Sequence, residues 1–269
     1  MRLDDEYKNI PALKFYTMEQ EDLDIHAEGI EIKGRLYSPN GNHIRAVVIL
    51  CHGIPRGTPD TKDRGYIDFI ERLVQEGFIT VFFNFRGTGP SSGNFDILGW
   101  CRDLKAVIDH LFRRNDIDKN RIAVMGFSGG AAAAIYVASQ DKRPSAIISC
   151  ACPMRFGFVE DEGAAKGLIE HFRGIGIIRD KNFPISPLLW ASGFKEVAPE
   201  KWIHKISPRP LLIIHGDSDQ LFSTDHAQTL FHLAGEPKSL CIIKGGGHRL
   251  REHPETIDHA VAWLKKIYE

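Results

Sequence analysis

The 269-residue chain has no uninterrupted apolar run near the roughly 18 residues that a membrane-spanning helix needs. Its first stretch, MRLDDEYKNIPALKF, is polar, carries both charge signs and lacks the apolar core of a secretory leader. These absences set the expectation of a cytoplasmic protein with no membrane span. Net charge is also nearly absent, at −1, so no global field gathers nucleic acid or acidic lipid. With no like-charge run and no aromatic-basic stripe, no nucleic-acid partner is expected. Cysteine is scarce and odd in number: Cys51, Cys101, Cys150, Cys152 and Cys241. Without a leader this predicts reduced thiols. Cys150 and Cys152 lack the two-residue gap common in zinc and redox pairs, and Cys51, Cys150 and Cys241 lie in apolar runs, as small core hydrophobes do. No set of histidines, cysteines or acids has metal-ligand spacing, so neither a metal nor another cofactor is expected.

What is present is an ordinary globular composition, 43% apolar and 26% charged, in a length that suits one large domain, residues 1–269. Residues 25–39 alternate apolar and polar side chains around a glycine, which predicts an antiparallel entry hairpin or meander. Short apolar runs then alternate with helical periodicity. Strands are expected at 46–51, 78–85, 121–127, 146–152, 211–216 and 240–245, the first three as buried runs. Helices are expected at 64–76, through Leu104 with Ile97, Cys101, Ile108 and Leu111 on one face, after Ser128, and within 253–268. Strand–helix alternation of this kind predicts a mainly parallel sheet in a three-layer α/β/α sandwich. Residues 153–210 break the rhythm, since a crossover needs far fewer. They carry Phe156, Phe158, Phe172, Phe183, Trp190, Phe194 and Trp202, and are expected to form an inserted helical cap.

Gly126-Phe127-Ser128-Gly129-Gly130 matches G-x-S-x-G, a weak pattern alone. Here it directly follows a buried strand and directly precedes a helix, which is the setting of a nucleophile elbow. A serine hydroxyl is a poor nucleophile at neutral pH and needs a base, which in turn needs an orienting acid. On such a fold the chain order is serine, acid, histidine. After strand 211–216, the stretch His215-Gly216-Asp217-Ser218-Asp219 offers two acids; after the last strand, His248 in KGGGHRL is the candidate base. His253 precedes a proline at a helix start and reads as a surface or capping residue. His226 and His232 fall on a predicted helix and are expected to face solvent.

Four motifs, LCHGIPRG, FNFRGTGPSSG, GFSGG, and IIHGDSD followed by GGGH, resemble the α/β-hydrolase superfamily over essentially the whole chain, and within it small serine esterases and dienelactone-hydrolase-like enzymes. The resemblance implies an eight-stranded, mainly parallel sheet. Its H-G-x-x-D pattern selects Asp219 as the acid, leaving Asp217 to shape the turn. It makes Ile54, after His52-Gly53, the source of one oxyanion-hole N–H; the other comes from Gly129, after the nucleophile. Histidines such as His52 and His215 support loop geometry in this family. Many members carry an aspartate two residues before the arginine of R-G-x-G-x-S; here Asn84 precedes Arg86, which puts the usual ion pair in doubt.

The expected activity is hydrolysis of a small-molecule carboxylic ester or thioester through an acyl-serine, with Ser128 as nucleophile, His248 as base and Asp219 as orienting acid. The aromatic-rich insertion suggests an apolar acyl or alcohol group. A peptidase or acyltransferase on the same triad is the alternative within enzymes, and a binding protein that keeps the fold without the chemistry is the alternative outside them.

Overall fold

A computed structural model describes residues 18–41, 43–57, 64–157 and 161–268. The N-terminal stretch, loop residues 58–63 and Phe158 lie outside the described residues. The chain enters as a hairpin, β1 (Met18–Ala27) and β2 (Ile30–Pro39). Then follow β3 (Arg45–Cys51), α1 (Ile67–Gln75), β4 (Ile79–Phe83), α2 (Ile97–Phe112), β5 (Ile117–Phe127), α3 (Gly129–Gln140) and β6 (Ala146–Cys150). The long segment after β6 holds α4 (Glu162–Gly174), α5 (Pro187–Glu196) and two short 3-10 turns. β7 (Leu211–Gly216), α6 (Thr224–Leu233), β8 (Lys238–Ile243) and α7 (Pro254–Tyr268) complete it.

The eight strands form one sheet in the order β1-β2-β4-β3-β5-β6-β7-β8. The β1–β2 and β2–β4 pairs are antiparallel and the remainder parallel. The physical cause of the parallel block is visible in β3. Val47, Val48, Ile49 and Leu50 are all fully buried, each stabilising by about 1.5–3 kcal/mol, because both sheet faces are covered. Val47, Ile49 and Cys51 face one core, shared with α2, α3, α6 and the segment after β6; Val48 and Leu50 face a second, shared with α1 and α7. This is the three-layer α/β/α sandwich that the strand–helix alternation predicts.

Element ends differ from the sequence reading in a few places. α1 begins at Ile67 rather than residue 64, because Gly65 takes φ +64° and residues 64–66 form a turn. β6 stops at Cys150, where Ala151 adopts φ +48° and turns the chain away. In the segment after β6, Asp161 caps α4 by accepting from Ala164 N–H, and Ser186 caps α5 by accepting from Leu189 N–H. Its aromatics pack inward. The Phe95 ring meets Trp100 at 4.9 Å and Phe172 at 4.8 Å, and Phe95 O accepts from Trp190 Nε1 at 3.0 Å. Phe172, Trp190 and Phe194 are thus buried in a seam with α2, not arrayed for a ligand. Among the described residues no helix is long and apolar enough to cross a membrane.

Candidate active site

Parallel strands deliver their carboxyl ends to one edge of the sheet, and Ser128 sits there between β5 and α3. Its backbone is at φ 52°, ψ −119°, a region costing about 1–3 kcal/mol for a side-chain-bearing residue. Neighbouring bonds hold the strain: Ser128 N–H donates to Cys150 O at 2.9 Å, and Ser128 O accepts from Ala131 and Ala132 N–H at 3.0 and 3.1 Å. Gly130 is required because a Cβ there would meet Cys51 O at 2.5 Å and His52 O closer still. That close approach presses the start of α3 against the end of β3, bringing the 52–54 loop over the elbow.

Asp219 and His248 arrive by a second close approach. Gly216, ending β7, lies so near the Gly246 carbonyl that a Cβ would overlap it, and Ser218 N–H donates to Gly246 O at 2.9 Å. The two loops after β7 and β8 are therefore joined, and Asp219 and His248 face one another. His248 Nδ1 lies 2.8 Å from Asp219 Oδ2, and His248 Nε2 lies 3.0 Å from Ser128 Oγ. The tautomer that satisfies both bonds carries its proton on Nδ1 and leaves Nε2 to accept from the serine. Asp219 Oδ1 accepts from Leu221 N–H at 2.8 Å and Phe222 N–H at 3.1 Å. Burial pushes this carboxyl up, but the His248 bond and the two amides outweigh it and hold the group below the ordinary carboxylate range.

The remaining residues singled out from sequence fall around this row. Asp217 is in the turn, accepting from Gly245 N–H at 2.7 Å and from Ser218 Oγ at 2.9 Å. Ile54 lies against Gly129: a Cβ on Gly129 would reach Ile54 Cγ1 at 2.9 Å and Ile54 N at 3.8 Å. Among the described residues neither backbone N–H donates within the protein. His52 is buried, donates from Nδ1 to Gly53 O at 2.8 Å and accepts at Nε2 from Phe85 N–H at 3.2 Å; burial lowers its pKa to about 4. His215 donates to Phe222 O at 2.8 Å. Both fix loops, and neither touches Ser128 Oγ. His253 Nε2 accepts from Gly247 N–H at 3.3 Å, tying the His248 loop to the start of α7. All five cysteines are free thiols, four of them buried.

Two readings need correction. His226 faces solvent only in part. It is half-buried, its Nδ1 accepts from Met154 N–H at 3.0 Å, and its ring lies 5.1 Å from that of Phe222. Periodicity within α6 carries no trace of the segment after β6, which folds back over it. Arg86 does keep a carboxylate partner despite Asn84. Its Nη2 meets Asp103 Oδ1 at 2.7 Å, with Asp103 fully buried on α2, and its backbone N–H meets Asp103 Oδ2 at 2.8 Å. Glu28 adds a second contact at 3.2 Å. Sequence did hold a signal for Asp103, an acid on the apolar face marked by Trp100, Leu104 and Val107. Phe222, whose ring lies 5.4 Å from that of His248, has no comparable sequence signal.

A sheet of this order, with a serine, a histidine and an aspartate hydrogen-bonded at its carboxyl edge, defines the chain as an α/β hydrolase. More particularly, the family model described as X-Pro dipeptidyl-peptidase (S15 family) matches residues 20–165, over half of the chain, and the chain belongs to that family. That match includes Ile54, Ser128 and Gly129 and stops short of Asp219 and His248. The chain is 30% identical over 145 residues to the quorum-quenching protein AidA of Acinetobacter baumannii, covering 52% of this chain and 46% of that one. The chain spans about half the length of the curated relatives it matches. Among solved structures it resembles the α/β hydrolase GrgF from Penicillium sp. sh18, with a TM-score of 0.73, 17% identity and coverage of 93% and 98%. It also resembles the Pyrococcus furiosus esterase Pf2001, with a TM-score of 0.67, 24% identity and 93% coverage of each chain.

Proposed function

We propose that the chain is a serine hydrolase that cleaves a carboxylic ester or thioester of a small molecule through an acyl-serine intermediate. The observation that carries this reading is the continuous row Asp219–His248–Ser128, with bonds of 2.8 and 3.0 Å. Ser128 Oγ attacks the carbonyl carbon while His248 Nε2 takes its proton. The negative charge that forms on the carbonyl oxygen is met by the Ile54 and Gly129 N–H groups, the latter at the positive end of α3. The carbon–oxygen or carbon–sulfur bond breaks, and His248 returns the proton to the departing alkoxide or thiolate. A water then attacks the acyl carbon, giving its proton to His248; the carbon–Oγ bond breaks, His248 returns the proton to Ser128 Oγ, and the acid leaves. The buried Asp219 keeps the imidazole in the tautomer this sequence of transfers requires. Residues 153–210 act as the cap over this edge.

Pf2001 is an esterase on the same fold, which agrees with the ester reading. The S15 family is named for a peptidase, so cleavage of an X-Pro amide on the same triad is the second reading. Both are tested together by assaying the purified chain on short p-nitrophenyl esters and on X-Pro p-nitroanilides. Ester turnover that is lost in Ser128→Ala, with labelling of Ser128 by a fluorophosphonate, is the expected result. Equal ester turnover by Ser128→Ala and wild type overturns the mechanism, and turnover of the anilides alone replaces the ester reading with the peptidase one.

A further inference from the structure

His226 is absorbed by none of the steps above, yet it links two structures that border the site. The first is the strap that leaves β6. Cys150 O holds Ser128 N–H at 2.9 Å, Ala151 turns at φ +48° with its N–H on Ile214 O at 2.9 Å, and the chain reaches Met154 three residues later. Both backbone groups of Met154 are pinned: its N–H donates to His226 Nδ1 at 3.0 Å, and its O accepts from Glu200 N–H at 3.0 Å. The second structure is Phe222. Its N–H donates to Asp219 Oδ1, its O accepts from His215 Nε2, and its ring lies edge-on to His248 at 5.4 Å and tilted against His226 at 5.1 Å. His226 alone among these touches both the strap and the Phe222 ring.

We infer that His226 is a positioning residue that locks the Met154 strap and the Phe222 ring together as one wall of the substrate site beside His248. This inference rests on the serine-hydrolase reading for its kinetic part only. As an acceptor at Nδ1, His226 is neutral and carries its proton on Nε2. Among the described residues no hydrogen bond or ring contact joins it to Ser128, His248 or Asp219, so its loss acts on binding and not on proton transfer. Loss of the lock frees a wall that substrate must then order, which raises KM while leaving kcat close to wild type.

The discriminating variants are His226→Leu, which removes the acceptor while keeping apolar bulk, and His226→Asn, whose Oδ1 occupies the place of Nδ1. With p-nitrophenyl butyrate, His226→Leu is expected to raise KM roughly tenfold with kcat within about threefold, and His226→Asn to return KM to within about threefold of wild type. Hydrogen exchange at the Met154 amide is expected to be slow in wild type and His226→Asn and fast in His226→Leu; His226→Ala replaces the leucine variant if that one does not fold. An unchanged KM in His226→Leu, no rescue by asparagine, a fall in kcat at constant KM, or equal Met154 exchange in all three overturns the inference. If Ser128→Ala turns over as wild type does, the hydrolase reading fails, and the Met154 exchange rates still decide whether His226 holds the strap.

Discussion

Replacing Asp219 by asparagine changes one atom, and the structure dictates which way the new amide faces. Oδ1 accepts two backbone N–H groups, from Leu221 at 2.8 Å and Phe222 at 3.1 Å, while Oδ2 accepts from His248 Nδ1 at 2.8 Å. An amide nitrogen turned toward Leu221 and Phe222 would set a donor against two donors, and each buried group left unsatisfied costs about 1–3 kcal/mol. Asparagine therefore keeps its oxygen on the two amides and presents its NH₂ to His248. Nδ1 must then accept, the imidazole proton moves to Nε2, and the nitrogen 3.0 Å from Ser128 Oγ becomes a donor. The serine loses its base without any atom having moved. In a triad this error of tautomer costs about 10⁴ in kcat, or roughly 5.5 kcal/mol at 1.36 kcal/mol per tenfold. The assay is steady-state hydrolysis of a p-nitrophenyl ester at pH 7.5, with thermal unfolding measured on the same sample. Activity within tenfold of wild type, in a protein of unchanged melting temperature, refutes both the assignment of Asp219 and the hydrogen-bond count that orients it.

Three further outcomes follow from buried groups elsewhere. Asp103→Ala leaves the Arg86 guanidinium, whose side chain is only 8% exposed, with the half-exposed Glu28 as its one ion-pair partner among the described residues, and is expected to lower unfolding free energy by about 3 kcal/mol in urea titration; a change under 1 kcal/mol shows that the Asp103 pair is dispensable. Burial lowers the pKa of His52 from 6.5 to about 4, so as pH falls from 6.5 the unfolded chain gains a proton that the folded chain refuses until about pH 4. Stability present above pH 6.5 is thus lost across that window, by about 3 kcal/mol, and His52→Gln should remove that much of the pH dependence relative to wild type; equal slopes for the two proteins exclude the effect. Gly130→Ala places a Cβ against Cys51 O and His52 O and is expected to abolish soluble expression or ester turnover; a folded variant with wild-type turnover means that the elbow yields more readily than its contacts imply.

The parallel core was legible because burial on both faces leaves a simple trace, a short continuous apolar run. β3 and β7 were expected within a residue of their observed bounds for that reason. The elbow was legible because strain and close backbone approach admit so few residue types that glycine marks them. Contacts between distant segments left weaker traces. Arg86 finds its carboxylate on α2, 17 residues away, and not at position 84, because several backbones could offer a partner to the same buried guanidinium. His226 looked like a solvent-facing helix residue because periodicity within α6 cannot reveal what another segment lays across it. The aromatic content of the insertion was open to two readings, a ligand or a core of its own, and Phe172, Trp190 and Phe194 are buried in the seam with Phe95 and α2.

These contacts also separate two kinds of control over the candidate site. Ser128 and the 52–54 loop are set by the sheet itself, since β3, β5 and β6 are paired through their last residues and Gly130 admits no slack against Cys51. Asp219 and His248 are set by turns, but turns joined backbone to backbone through Gly216 and Gly246, so the two loops form one unit. A shift of that unit by 1 Å along the sheet edge would leave the 2.8 Å Asp219–His248 bond intact and lengthen only the bond to Ser128. Phe222 is the side chain placed to hold the imidazole in line with the serine, because its amide donates to Asp219 Oδ1 and its ring lies edge-on to His248. Truncating it to alanine should therefore lower kcat through the Ser128–His248 distance, whereas freeing the Met154 strap should act on KM. A Phe222→Ala variant with lowered kcat, unchanged KM and an unchanged melting temperature would place the alignment of base and nucleophile in that ring; unchanged kcat would assign it to the glycine contacts alone.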